Sequence, residues 1–188
     1  LVTPTEWHLE RYRQLLLFQV RRLQLDPRLQ RRFDSSDLVQ ETLLNAHAQL
    51  GRFRGRTEAE LVRWLQEVLA HTVADEVRKA RAQKRDVGLE QSLQAALAES
   101  SGRLEAFLAS GQPSPDEQAE RHELLLRIAG ALEQLPEDQR ETLIRRDLDG
   151  ASIAEVAQRL GRTRKSVAGL LLRGRRKLRE LLADCRMP

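Results

Sequence analysis

The sequence predicts an all-α protein of two small helical domains joined by a linker. Capping signatures open four segments, and apolar residues recur at helical spacing behind them. Between them lies a stretch rich in Ala, Ser, Gly and Pro. Composition agrees: of 188 residues, 4% are aromatic and 32% charged, a balance that suits exposed amphipathic helices better than a large sheet covered on both faces. The expected division is a first domain at 1–87, a linker at 88–114 and a second domain at 115–188.

The helix starts come first. Thr57 to Glu60, Ser114 to Glu117 and Ser152 to Glu155 fit Ser/Thr-x-x-Glu, in which each side chain satisfies a backbone donor that the first turn leaves orphaned. Asp34 to Asp37 is a looser version. Pro115 sits at a first helical position, where its missing N–H costs nothing. Gly51, Gly150 and Gly161 fall where the preceding helices end. Inside the linker, Leu89 to Leu97 and Leu104 to Leu108 read as two short helices, before Ser110-Gly111-Gln112-Pro113-Ser114-Pro115, which suits no packed element.

In the segment DLVQETLLNAHAQL from Asp37 to Leu50, the inner stripe is Val39, Leu43, Ala46 and Leu50. Asp37, Gln40, Glu41 and Leu44 share the other side, an acidic and partly apolar face able to dock on a basic partner helix. The next helix, about Glu58 to Gln83, turns Val62, Leu69, Val73 and Val77 inward. Trp64, His71, Asp75, Arg78, Ala82 and Arg85 line its other side, flanked by Lys79 and Arg81. A tryptophan and cations on one stripe can hold a phosphate backbone and stack on an unpaired base.

From Ser152 the pattern is that of a helix-turn-helix. Small Ala157 lets two helices approach, Gly161 makes the turn and Val167 packs underneath. Val167, Leu171, Gly174, Leu178 and Leu181 form one buried stripe. Lys165, Gly169, Leu172, Arg173 and Arg176 project oppositely. Between Arg162 and Arg179 stand eight basic residues and no acidic one. A merely solvated face mixes signs to form i,i+4 pairs; an unmixed one suits phosphate binding.

Taken together these segments resemble the extracytoplasmic-function sigma factors of the sigma-70 family. DLVQETLLNAHAQLGRFRG (Asp37 to Gly55) resembles their core-binding helix and following loop, and WLQEVLAHTVADEVRKAR (Trp64 to Arg81) their promoter-melting and −10 segment. Ala131 to Leu181 resembles their −35-binding domain, and KRDVGLEQSL in the linker is similar to a branch common in planctomycetes. The resemblance implies sigma domain 2, a linker and sigma domain 4, and a role in transcription initiation. Asp37, Gln40, Glu41 and Leu44 would contact the β′ coiled coil of core RNA polymerase. Phe53 and His71 would form a pocket for a base flipped from the −10 element, and Trp64, Asp75, Arg78, Lys79 and Arg81 would line that strand. In the second domain Lys165, Arg173 and Arg176 would read −35 bases, Arg162 and Arg164 would anchor phosphates, and Thr163 and Ser166 would belong to the same −35-binding surface. The β flap and an anti-sigma factor are further candidate partners, and the location implied is cytoplasmic, at the nucleoid through polymerase. The chain departs from the family in His71, where asparagine is usual, and in Ala168-Gly169-Leu170, where relatives often carry Lys-Ser-Arg. It also begins late in the family's first helix, near LERYRQLLL.

Other classes fit less well. No run approaches the roughly 18 to 20 apolar residues of a membrane span, and Leu1 to Arg13 lacks the pattern of a secretory signal. Cys185 is the single cysteine, which excludes an internal disulfide and fits a reducing cytosol. His8, His47, His71 and His122 show no metal-ligand spacing, so no metal, cofactor or small-molecule substrate is expected. No nucleophile, base and orienting partner cluster, so no enzyme and no catalytic residue is expected. An adaptor would explain helices but not two basic faces. The alternative is a stand-alone helix-turn-helix regulator, which would need a receiver or ligand-binding first half.

Overall fold

The computed structural model describes residues 7–23, 34–81, 87–108 and 115–184, and among them every regular element is helical. The chain divides into two compact units, Leu1–Gly102 and Arg103–Pro188.

In the first unit a short 3₁₀ turn, Leu9–Tyr12, leads into α1 (Arg13–Arg22). The next helix, α2, spans Ser35–Gln49 and ends in a 3₁₀ turn, Leu50–Arg52. Asp34 caps it, its Oδ1 accepting from Ser36 N at 2.7 Å. Helix α3 spans Glu58–Arg81, and its first turn is closed reciprocally by Thr57 and Glu60. The Glu60 N–H donates to Thr57 Oγ1 at 3.2 Å, and the Thr57 N–H to Glu60 Oε2 at 3.1 Å. The core of this unit joins Tyr12, Leu15, Leu16 and Phe18 to Val39, Leu43, Ala46, Leu61, Leu65, Leu69 and Val73. Val62, expected inside, is half-buried; Leu61 and Leu65 hold the deeper positions, because the buried arc of α3 is wider than one stripe.

Helix α4, Val87–Leu108, runs unbroken where two short helices were expected. Leu93, Leu97, Ser100, Ser101 and Leu104 are all buried. The Ser101 hydroxyl accepts from Gln19 Nε2 of α1 at 2.5 Å and from Gln66 Nε2 of α3 at 2.6 Å. Arg22 Nε donates to Ser100 Oγ at 3.1 Å. Small polar residues that read as linker chemistry are here the polar part of a three-helix contact. A buried hydroxyl needs such partners, and these tie α4 to α1 and α3.

The second unit contains α5 (Pro115–Glu133), α6 (Glu137–Leu143), α7 (Ile153–Leu160) and α8 (Arg164–Asp184). A π turn, Ile144–Leu148, extends α6. Ser114 lies outside the described residues, though the helix begins at Pro115 as expected. Arg140, almost fully buried, pairs with Glu133 at 3.4 Å and with Glu137. Helix α8 crosses α6 closely at Gly174, where a β-carbon would stand 3.0 Å from Leu143 Cδ1 and would require that side chain to shift.

Ser152 caps α7 in a full capping box, its N–H donating to Glu155 Oε2 at 2.7 Å and Glu155 N donating to Ser152 Oγ at 3.2 Å. These bonds hold the Glu155 carboxyl below its ordinary 4.5. A depressed folded-state pKa adds stability above the unfolded value that is lost as pH falls through the folded one. Glu155→Gln is therefore expected to lower the melting temperature at pH 7. The difference from wild type should shrink as pH falls below the carboxylate's ordinary 4.5, and thermal melts across a pH series check it.

Candidate functional site

Three exposed faces collect the residues singled out from sequence. The first is on α2. Leu38, Val39, Thr42, Leu43 and Ala46 face inward, so Asp37 and Gln40 are exposed, Glu41 is half-buried and Leu44 is 64% exposed. No ion pair engages Asp37 among the described residues. The result is an apolar knob rimmed by carboxylates, a surface suited to a partner carrying both apolar groups and cations.

The second face is built by the loop after α2 and by α3. Phe53 is buried at 7% exposure, its ring 5.1 Å from that of Trp64 and 6.2 Å, edge-on, from that of Trp7. Gly55 makes room, since a β-carbon there would overlap the Phe53 ring. The structure thus brings Phe53 and Trp64 together, but with Phe53 inside the cluster and Trp64 half-buried. Trp7 was not anticipated. Two turns beyond Trp64 on α3 begins a polar chain. His71 Nε2 lies 3.8 Å from Asp75 Oδ2, and Asp75 Oδ1 lies 2.9 Å from Arg78 Nη2. On its other side His71 Nδ1 is 3.7 Å from Glu90 Oε2 of α4, a second carboxylate the sequence did not suggest. Lys79 donates to Glu76 at 2.5 Å, and this hydrogen bond raises its pKa. The side chain of Arg81, with Ala82 and Arg85, lies outside the described residues.

The third face is the helix-turn-helix. Gly161 ends α7 with φ +62°, the left-handed conformation that costs glycine nothing. Thr163 Oγ1 accepts from Ser166 N at 3.2 Å, capping α8. Val167, Leu171, Gly174 and Leu178 are buried and Leu181 half-buried, as the periodicity requires. Arg164, Lys165, Arg173 and Arg176 are exposed. The eight cations are not equivalent. Arg162 pairs with Asp138, and Arg175 holds Asp147 of the π turn in a two-pronged bond of 2.9 and 2.5 Å, which raises its pKa. Arg176 and Lys177 each lie 3.8 Å from Glu180. Among the described residues no carboxylate pairs with Arg164, Lys165, Arg173 or Arg179. Sequence alone could not sort these cations, because Asp138 and Asp147 lie 24 and 28 residues from their arginines.

Among the described residues no helix is long and apolar enough to cross a membrane. The first face and, apart from Trp7 and Glu90, the aromatic and polar line fall within residues 8–83, which match the family profile of Sigma-70 region 2. The helix-turn-helix falls within residues 125–178, which match that of Sigma-70, region 4. The chain is similar to the ECF RNA polymerase sigma factor SigM of Mycobacterium tuberculosis, at 28% identity over 149 residues, or 79% of this chain and 64% of that protein. It is similar also to the ECF RNA polymerase sigma factor SigC of the same species, at 31% identity over 123 residues, or 65% of this chain and 56% of that protein. The chain therefore spans less than two thirds of the length of either relative, 64% of the first and 56% of the second. Sigma-70 region 2 and region 4, matched in that order in one chain, place it in the sigma-70 family.

Proposed function

We propose that this protein is a sigma factor of the extracytoplasmic-function group, which binds core RNA polymerase and directs promoter recognition, DNA melting and transcription initiation. The observation that carries the proposal is the presence of region 2 and region 4 in one chain and in that order. A helix-turn-helix alone would suggest only duplex binding. The α2 face of Asp37, Gln40, Glu41 and Leu44 docks on the β′ coiled coil, and the second domain adds a contact with the β flap. Trp64, His71, Asp75, Arg78, Lys79 and Arg81 follow the −10 strand, with Phe53 supporting Trp64 from below. Helix α8 enters the −35 major groove, where Lys165, Arg173 and Arg176 reach base edges and Arg162, Thr163, Arg164 and Ser166 hold the backbone. The protein supplies binding energy rather than chemistry, and works in the cytoplasm, where the polymerase is. The likeness of KRDVGLEQSL in the linker to a branch common in planctomycetes supports placing the chain there, and an anti-sigma factor is a further proposed partner.

Mixing the full chain with core polymerase and isolating the complex tests the docking half of the proposal. Stable co-elution is expected, together with weak binding of duplex DNA by the protein alone. Tight operator-like duplex binding without polymerase would overturn it.

The Arg162–Asp138 pair adds a finer expectation. Arg162 must leave Asp138 to reach a phosphate, so the pair competes with DNA. Asp138→Asn should strengthen promoter binding a few-fold, whereas Arg162→Ala should weaken it and make the salt dependence shallower by about one unit of slope. Binding isotherms of the polymerase complex across a salt series measure both.

A further inference from the structure

Leu172 points away from the core of the second domain, among the cations of α8. It is 69% exposed, more than any other large apolar side chain among the described residues. It lies two residues from buried Leu170 and two from buried Gly174, which at about 100° per residue puts it on the side of α8 opposite both. Along that outward line the charged neighbours are Lys165 two turns before it, Arg176 one turn after and Arg179 two turns after. Solvation offers no reason for an apolar group there, since every neighbouring outward position that carries a long side chain carries a cation.

Space around it is also distinctive. Residues 168 and 169, one turn before Leu172, are alanine and glycine. The Arg173 guanidinium lies back over Gly169, where a β-carbon would come within 3.2 Å of its Nη1. The middle of the helix is therefore low and apolar, with Leu172 standing out of it and cations to either side. A major groove lined by phosphates would receive the cations at its walls and the leucine at its floor. The one apolar group that a B-form major groove displays is the C5-methyl of thymine.

We propose that Leu172 is a specificity-determining residue that recognises the 5-methyl group of a thymine in the −35 element. The inference rests on the sigma-factor reading and deepens it. The sparse centre of α8 is then an apolar reading position in its own right, between cations that bind phosphates and guanine edges.

The test uses the full chain assembled with core polymerase. Promoter duplexes are first selected by the complex, and each −35 thymine is then replaced singly by deoxyuridine, which lacks only the methyl group. At one thymine, or two adjacent ones, the loss of the methyl should weaken the wild-type complex about fourfold, the worth of one buried methyl group. Leu172→Ala should bind the thymine and uracil duplexes equally, at about the level of wild type on uracil. A methyl effect at no position, or one that persists in Leu172→Ala, overturns the assignment. So does a Leu172→Ala protein that loses core polymerase itself, since Leu172 would then be a protein contact. Because the side chain is exposed, an unchanged thermal melt is expected and confirms that the fold is intact. If the wild-type complex selects no promoter at all, the sigma-factor reading has failed; if it selects and transcribes without methyl coupling, only the role of Leu172 has failed.

Discussion

Reversing two charges on α2, Asp37→Lys with Glu41→Lys, is expected to abolish the association with core RNA polymerase. Both carboxylates rim the exposed Leu44 knob, and on the proposed reading they meet cations of the β′ coiled coil. Turning attraction into like-charge contact costs several kcal/mol at an interface, so the double variant should bind at least about 1,000-fold more weakly. The fold should survive. Neither side chain is buried, and the main local cost is an unfavourable cation in the first turn of α2, about 0.5 kcal/mol from the helix dipole. Competition between wild-type and variant proteins for a fixed amount of core polymerase reads the loss. A variant that competes equally would move the docking surface off α2.

The second large effect is expected on α8. Arg164, Lys165 and Arg173 are cations without a carboxylate partner among the described residues, so their charge is available to DNA without first breaking an ion pair. Replacing all three by alanine removes one phosphate contact and two base contacts worth about 1 to 3 kcal/mol each. Promoter binding by the polymerase complex should fall by at least about 100-fold, with a salt slope shallower by about one unit. The matched control is Arg175→Ala. Its guanidinium is held by Asp147, so promoter affinity should change little. Equal losses in the two variants would mean that net charge alone, and not this set of side chains, binds the promoter.

These expectations rest on features of unequal legibility. Local chemistry could be read directly from residue order. Asp34, Thr57 and Ser152 cap the helices they precede, and Gly161 turns the chain between α7 and α8. The period of Val167, Leu171, Gly174 and Leu178 marks the buried side of α8, because a helix repeats the same geometry at every turn. What depended on distant residues was harder to read. Ser100 and Ser101 look like linker until Gln19, Gln66 and Arg22 are brought to them from two other helices. Phe53 looks like an exposed loop aromatic until Trp7 and Trp64 close on it. Glu90 meets His71 only because α4 continues as one helix along the first unit. The acidic residues that occupy Arg162 and Arg175 come from α6 and the π turn that extends it, and so the basic run overstates how much charge is free. On α8 periodicity defined the buried side, but in the linker and at the Phe53 loop only tertiary contact decided which side chains were engaged.

On the proposed reading, one chain joins a polymerase-docking domain to a promoter-reading domain and acts through both. Run-off transcription tests it most directly, using core polymerase, a pool of genomic fragments and the purified full chain. The account predicts discrete transcripts that start at defined sites, require both protein and core enzyme, and disappear with either the α2 charge reversal or the α8 triple alanine variant. Transcripts that do not depend on the protein, or repression of transcription by the protein at the sites it binds, would contradict it.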